Sequence, residues 1–123
     1  MKTYREIIVW QRAMSFVTKI YKYSKSFPNE EMYGLISQIR RSAVSIPSNI
    51  AEGFGRKSSN DFKRFLQIAM GSLFEVQTQL EISKNLEYID EKTFNDLYQD
   101  SREIERILTA FIDSIKDFNS EKQ

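Results

Sequence analysis

Six cations in the middle of the chain form three basic pairs that could bind phosphate groups. They are Arg40, Arg41, Arg56, Lys57, Lys63 and Arg64. Only two acidic residues occur between Gly34 and Arg64, so this stretch has a local charge of +4. Lysine and arginine at the rim of a helical turn can contact the phosphates of RNA or DNA whatever the base sequence. The same cations could equally form a solubilising surface with salt bridges to the acidic fourth helix, and the pattern leaves both interpretations open.

A polar stripe runs beside the apolar face of the second predicted helix. Its members are Gln38, Ser42, Ser45, Asn49 and Glu52, and Pro47 lies among them. Solvated helix faces are usually rich in Lys and Glu, whereas small polar residues favour close helix approach and a hydrogen-bonded network. We therefore predict a buried structural seam or an interface between subunits here, ahead of a solvated face or a ligand site.

The composition removes most catalytic chemistry. The sequence contains no His and no Cys, so the serine triad, the histidine-based zinc and di-iron sites and thiolate nucleophiles are absent. No lysine has a serine three residues before it, and Gly53-x-Gly55 lacks the remaining residues of a phosphate-binding loop. Glu75 and Glu81 fall on different helix faces. We expect no enzymatic activity, no cofactor and no metal site.

Charge is divided between the two halves of the chain. Residues 1–64 carry a net +7 and residues 65–123 a net −6. This polarity indicates either a surface that faces nucleic acid or attraction between basic and acidic helices, within or between subunits. No apolar run approaches the roughly 18 residues of a membrane span, and the N-terminus lacks a signal-peptide core. The expected location is the cytoplasm, without membrane contact.

Apolar spacing predicts a single all-α domain over residues 1–123, with helices at about 4–24, 30–52, 59–86 and 91–118. Short connections favour an antiparallel up-down-up-down four-helix bundle. The first helix has a core face formed by Trp10, Ala13, Val17 and Ile20. It has a second apolar stripe formed by Val9, Phe16 and Tyr23. Because one bundle does not need both stripes, the second predicts a surface for assembly into a closed ring.

Several residues are expected to shape the helix ends and crossings. The sequence predicts that Asn29, Ser58 and Asp90 cap the second, third and fourth helices. Gly53 is expected to end the second helix in a left-handed conformation, and Pro47 to kink that helix. We expect Gly71, beside Ala69 and Ser72, to permit a tight helix crossing.

Four motifs resemble those of the 23S rRNA-intervening-sequence protein family. They are VWQRA (9–13), FP (27–28), YGLISQIRRSAVSIPSNIAEGFGR (33–56) and QIAMGSLFEVQTQLEIS (67–83). The third string is long and specific, while the fourth helix and both termini match only in pattern.

The resemblance implies a small bacterial four-helix bundle without established enzymatic activity. Family members are similar to the accessory protein of diversity-generating retroelements, a pentamer that binds nucleic acid and a reverse transcriptase through a basic surface. By this resemblance we expect a homopentamer whose partners are RNA or DNA, or a reverse transcriptase or other protein. That relative is strongly basic whereas this chain has a net charge of +1, so oligomerisation is the firmer expectation.

Overall fold

Four helices make up most of the computed structural model, which describes residues 1–115. They are α1 (Ile8–Ser24), α2 (Leu35–Phe54), α3 (Ser59–Asn85) and α4 (Glu91–Ser114). Two short 3₁₀ helices, Tyr4–Glu6 and Asn29–Glu31, precede α1 and α2. No β-strand occurs within residues 1–115, which agrees with the predicted all-α four-helix bundle. The predicted extension of the fourth helix to residue 118 lies outside the described residues.

The starts of α1 and α2 come later than predicted. Thr3 and Glu6 form a capping box around the first 3₁₀ helix, and α1 follows it at Ile8. The prediction that Asn29 caps the second helix is wrong, because Asn29 opens only a 3₁₀ turn and Gly34 is the residue that precedes α2. The Glu31 carboxylate accepts a hydrogen bond from the Leu35 backbone N–H at 3.2 Å, so a side chain from the preceding turn satisfies the start of α2.

The predicted caps of the third and fourth helices are confirmed. The Ser58 hydroxyl accepts a hydrogen bond from the Asp61 backbone N–H at 3.1 Å. The Asp90 carboxylate accepts one from the Thr93 backbone N–H at 2.7 Å. That bond lowers the pKa of Asp90, because it stabilises the charged carboxylate.

One predicted stripe of α1 is in the core and not on the surface. Val9 and Phe16 are each 1% exposed, and Tyr23 is half-buried against the core, so the bundle itself covers most of the stripe that the sequence offered to a second subunit. Trp10 and Val17 are only half-buried and lie at the edge of the core. The two apolar stripes of α1 are offset by one position in the sequence, so they lie on neighbouring faces of the helix. The positions of α2 and α4 against α1 determine which of the two is buried.

Pairs of helices meet with opposed residue numbering. In α2 and α3, Ser42 lies against Glu75 and Ser45 against Ser72. Between α1 and α4, Arg12 forms an ion pair with Glu103, and Lys19 forms ion pairs with Asp100 and Asp96. None of the helices within residues 1–115 has the length and apolar content needed to cross a membrane.

Candidate nucleic-acid interface

Two arginines at the turn between α2 and α3 are held by the same aromatic ring. The guanidinium carbons of Arg56 and Arg64 lie 4.5 Å and 4.8 Å from the centre of the Phe65 ring, which is itself buried. Arg64 donates two hydrogen bonds to one Asp61 oxygen, at 2.9 and 3.1 Å. Because a guanidinium stacked on a ring keeps most of its N–H groups at its edge, these contacts orient the two cations without using all their donors.

The turn cations remain accessible to solvent. The side chains of Arg56 and Arg64 are 42% and 60% exposed, and Lys57 between them in sequence is exposed. Arg56 lies 3.7 Å from Glu52 and 3.9 Å from Asp61, which are loose contacts for an ion pair. Exposed pairs of this kind contribute little to stability, so phosphate oxygens can replace the carboxylates at small cost.

Close approach of α2 and α3 holds this turn in place. A Cβ atom on Gly53 would lie 2.7 Å from Cβ of Phe65, so only glycine fits between the two helices here. The prediction that Gly53 ends α2 in a left-handed conformation is wrong. Gly53 is buried inside the helix, and no glycine within residues 1–115 has a positive φ.

Aromatic packing closes the same end of the bundle. The Phe54 and Phe62 rings meet edge to face with centroids 6.1 Å apart, and Phe62 meets Phe111 at 5.8 Å. This contact gives Phe54 a packing role at the end of the bundle.

Arg40 and Arg41 lie away from the four cations of the turn. Arg41 precedes Phe54, the last residue of α2, by 13 positions, or roughly 20 Å along the helix. Arg40 is half-buried: its Nε donates to Ser24 Oγ at 2.8 Å and its Nη2 to the Tyr21 carbonyl oxygen at 3.3 Å. The structure therefore places Arg56 and Arg64 against one ring at the turn, with Lys57 and Lys63 next to them in sequence, and separates Arg40 and Arg41 from this turn. Arg40 ties α2 to the end of α1, while Arg41 lines a polar cavity.

The polar stripe of α2 forms hydrogen bonds within the chain. Ser45 and Ser72 hydroxyls lie 2.8 Å apart, and Asn49 Nδ2 donates to Ser45 Oγ at 2.9 Å. The Ser42 hydroxyl donates to Glu75 at 3.4 Å. The predicted hydrogen-bonded seam is therefore present between α2 and α3. Gln38 and Glu52 are exposed and Pro47 is buried, so a role of this stripe between subunits stays a prediction.

Acidic residues of α4 have partners on α1. Lys19 Nζ lies 2.7 Å from Asp100 and 3.5 Å from Asp96, and the hydrogen bond to Asp100 raises the pKa of Lys19. Arg12 forms an ion pair with Glu103. The cations that neutralise this part of α4 thus come from α1 and not from the turn. Three carboxylates that could have paired with the turn cations are therefore already paired.

Two apolar grooves lie on opposite sides of the bundle and were not predicted from the sequence. The first, of about 360 Å³, lies between α1 and α2 and is lined mainly by Tyr4, Trp10, Met14, Val17, Val44 and Pro47. The second, of about 310 Å³, lies between α3 and α4 and is lined mainly by Met70, Gly71, Phe74, Thr109 and Ile112. The signal in the sequence for the second groove was Phe74, a large apolar residue of α3 that is 47% exposed.

Gly71 does not permit a crossing within the chain, contrary to its predicted role. It is exposed, and a Cβ atom there would meet nothing within 4 Å among residues 1–115.

The profile of a family described as the 23S rRNA-intervening sequence protein matches residues 5–110. A solved structure from Bacteroides thetaiotaomicron, described as a protein with unknown function from the S23 ribosomal protein family, is similar to the chain. It is 30% identical, with a TM-score of 0.81 over 87% of this chain and 96% of the other. No curated protein shows significant similarity to the chain.

Proposed function

Because the chain belongs to the 23S rRNA-intervening sequence protein family, we propose that it is a non-catalytic, self-associating bundle that binds RNA or DNA weakly and without sequence preference. The observation that carries the proposal is the set of cations at the turn between α2 and α3. Arg56 and Arg64 are oriented on Phe65 and keep exposed edges, and Lys57 beside them is exposed. Such a surface contacts phosphates and not base edges.

The ion pairs between α1 and α4 support this proposal over a purely electrostatic adaptor. In the adaptor hypothesis, the turn cations pair with acidic residues of α4 on a neighbouring subunit. Asp96, Asp100 and Glu103 already have cationic partners on α1 of the same chain. Arg56 and Arg64 pair with Glu52 and Asp61 at the surface of the same chain, and phosphate oxygens can replace these carboxylates at small cost.

The test replaces the four cations of the turn and measures the affinity for nucleic acid as a function of salt concentration. The variant carries Arg56→Gln, Lys57→Gln, Lys63→Gln and Arg64→Gln. The logarithm of the affinity for mixed-sequence RNA or DNA should fall with the logarithm of salt concentration, with a slope of about 0.7–0.9 per phosphate contact. The variant should bind all sequences more weakly, with a flatter slope and unchanged helical content by circular dichroism.

A matched control removes four exposed cations elsewhere: Lys22→Gln, Lys25→Gln, Lys92→Gln and Arg106→Gln. It has the same net charge as the turn variant and should keep most of the affinity. Equal losses in the two variants would show that net charge and not the turn governs binding. Absence of any complex at tens of micromolar protein in low salt would contradict the proposal.

A second candidate function, a protein scaffold, is favoured by the two apolar grooves. A head-to-tail interface joins two different surfaces, and repeating it around an axis makes a ring. Grooves on opposite sides of one bundle supply two such surfaces. We propose that each groove is covered by a second copy of this chain, and that the ring is the pentamer implied by the resemblance.

We also infer the topology of the bundle, the shape of α2, and the relatives, partner and location of the protein. The opposed numbering of the helix pairs supports an up-down-up-down topology, and Pro47 is expected to kink α2 because it cannot donate a hydrogen bond to the Ala43 carbonyl. The kinship with retroelement accessory proteins, a reverse transcriptase partner and a cytoplasmic location are proposals that rest on the sequence motifs and composition.

A further inference from the structure

An arginine without a carboxylate partner lies beside the groove between α1 and α2. Arg5 is exposed, and its guanidinium carbon lies 5.6 Å from the centre of the Tyr4 ring and 6.0 Å from that of Trp10. Both rings line the groove, so these cation–π contacts hold the positive charge at its edge. Among residues 1–115, no carboxylate forms an ion pair with Arg5.

A carboxylate without a cationic partner lies in the groove between α3 and α4. Asp113 is exposed, and it is the one charged residue in the described lining of this groove. No cation in the described part of the chain forms an ion pair with it. Each groove therefore combines apolar walls with a free charge, which is positive beside the first groove and negative in the second.

The two charges lie at the same end of the bundle. The ion pairs between α1 and α4 show that the numbering of these helices runs in opposite directions. The chain before α1 is therefore level with the end of α4, where Asp113 lies. Tyr4 and Ala51 line the same groove, so the chain before α1 is also level with the last turn of α2. Both charges thus lie at the end of the bundle that carries the turn between α2 and α3.

The symmetry of a ring determines which ends of the two grooves meet. Rotation about one axis gives every copy the same direction along that axis. When the grooves of neighbouring bundles meet side by side, the end with Arg5 therefore faces the end with Asp113. Opposite charges at matching positions of two surfaces fix the register of an interface, whereas like charges there would oppose the contact.

We propose that the occupant of each groove is a second copy of this chain, aligned by an ion pair between Arg5 of one copy and Asp113 of the next. The inference rests on the proposed assembly through the two grooves and adds the register in which the copies meet. In that register, Arg56 and Arg64 of every copy lie on one face of the assembly. A nucleic acid bound at that face contacts several turns at once, which raises its apparent affinity without any new contact in a single subunit.

The test isolates one interface between two copies. Met14→Glu disables the groove between α1 and α2, and Phe74→Glu disables the groove between α3 and α4. An equimolar mixture of the two variants therefore forms a dimer through one intact groove of each kind. The Arg5 at this interface belongs to the Phe74→Glu chain, and the Asp113 belongs to the Met14→Glu chain. Sedimentation equilibrium without nucleic acid measures the dissociation constant of the dimer.

Reversal of each charge checks the ion pair. Arg5→Glu in the Phe74→Glu chain and Asp113→Arg in the Met14→Glu chain should each weaken the dimer roughly tenfold, because like charges then meet. The two reversals together should restore most of the affinity. Both side chains are exposed, so each variant should keep its fold, which circular dichroism checks.

A matched control places the same reversals in the opposite chains. Arg5→Glu in the Met14→Glu chain and Asp113→Arg in the Phe74→Glu chain change charges beside the disabled grooves. The total charge of each mixture is the same as in the corresponding test mixture. The dissociation constant of the dimer should therefore stay unchanged in the control.

The outcomes separate this inference from the proposals on which it rests. Single reversals without effect, or a double reversal that binds no more tightly than the singles, would overturn the ion pair and leave the two grooves as the interface. Equal weakening in the test and control mixtures would also overturn it. A mixture that stays monomeric would overturn the assembly and this inference together, and would leave the proposed binding of nucleic acid by the turn standing.

Discussion

Gly53 and Gly71 both replace a side chain in a long helix, but for different physical reasons. A Cβ atom at Gly53 would lie 2.7 Å from Phe65 Cβ and 3.0 Å from Phe62 Cδ1, whereas at Gly71 it would meet no atom of the described part of the chain within 4 Å. Glycine inside a helix costs roughly 1 kcal/mol relative to alanine. Contact between α2 and α3 explains this cost at Gly53, and no contact within residues 1–115 explains it at Gly71.

We predict opposite effects of alanine at the two glycines. Gly53→Ala should lower the free energy of unfolding by about 1–3 kcal/mol, because Phe62 and Phe65 must move apart. Gly71→Ala should raise it by up to about 1 kcal/mol through helix propensity. Urea unfolding at one protein concentration measures both, and a stabilised Gly53→Ala variant would contradict the close approach of α2 and α3.

Single residues were harder to predict than the pattern that contains them. The sequence placed six cations in one candidate surface, but Arg40 donates its hydrogen bonds to Ser24 Oγ and to the Tyr21 carbonyl oxygen. Asp61 accepts two hydrogen bonds from Arg64, and the basic pairs in the sequence did not indicate this partner. Such pairings depend on which helices lie side by side, and the basic pairs alone carry no information about that.

The helices themselves were predictable where local chemistry decides their ends. Ser58 and Asp90 cap α3 and α4 through bonds to backbone N–H groups three residues ahead, a short-range interaction. The start of α2 was not predictable in this way. Glu31 bonds to both the Leu35 backbone and the Tyr88 hydroxyl, the latter at 2.8 Å, so a distant residue fixes that turn.

We predict that Asp90 contributes to acid sensitivity. Its pKa is lowered in the folded state, so its stabilisation is present above about pH 4, the ordinary pKa of Asp, and is lost as the pH falls through the lowered value. Asp90→Asn keeps an acceptor for Thr93 N–H without titrating. Its free energy of unfolding should therefore fall less than that of the original chain on acidification.

The control for this prediction is Asp90→Ala, which loses the cap altogether. It should be less stable than the original chain at neutral pH, because the Thr93 backbone N–H loses its acceptor. Identical acid dependence of the original chain and Asp90→Asn, followed by urea unfolding at each pH, would show that the cap does not contribute.

At the scale of the whole molecule, the stripe that the sequence offered for the expected assembly is not on the surface. The stripe with Val9 and Phe16 belongs to the core of the protomer. The surfaces available to a second copy are instead the grooves beside Met14 and Phe74, which are 44% and 47% exposed. A helix pattern reveals surplus apolar residues, but the packed bundle decides which of them remain uncovered.

We predict that the two grooves are the two halves of one head-to-tail interface. Met14→Glu and Phe74→Glu should each stop assembly at the monomer, because each places a charge in one half. An equimolar mixture should form a dimer of about twice 14.5 kDa, since one intact groove of each kind remains. Light scattering coupled to size exclusion measures the masses.

Asn95→Glu, an exposed change on α4 away from both grooves, should keep the mass of the original assembly. A monomeric original chain at micromolar concentration, or a mixture that stays monomeric, would contradict the head-to-tail arrangement.

Trp10 is the single tryptophan of the chain and lies in the groove between α1 and α2. Its ring meets Tyr4 edge to face with centroids 5.1 Å apart, and the Arg5 guanidinium lies 6.0 Å from its centre. The protein thus has a tryptophan fluorophore in one of the two grooves proposed for assembly and no tryptophan in the other. The emission maximum of Trp10 in the unlabelled protein therefore reports whether that groove is exposed to water or covered by another subunit.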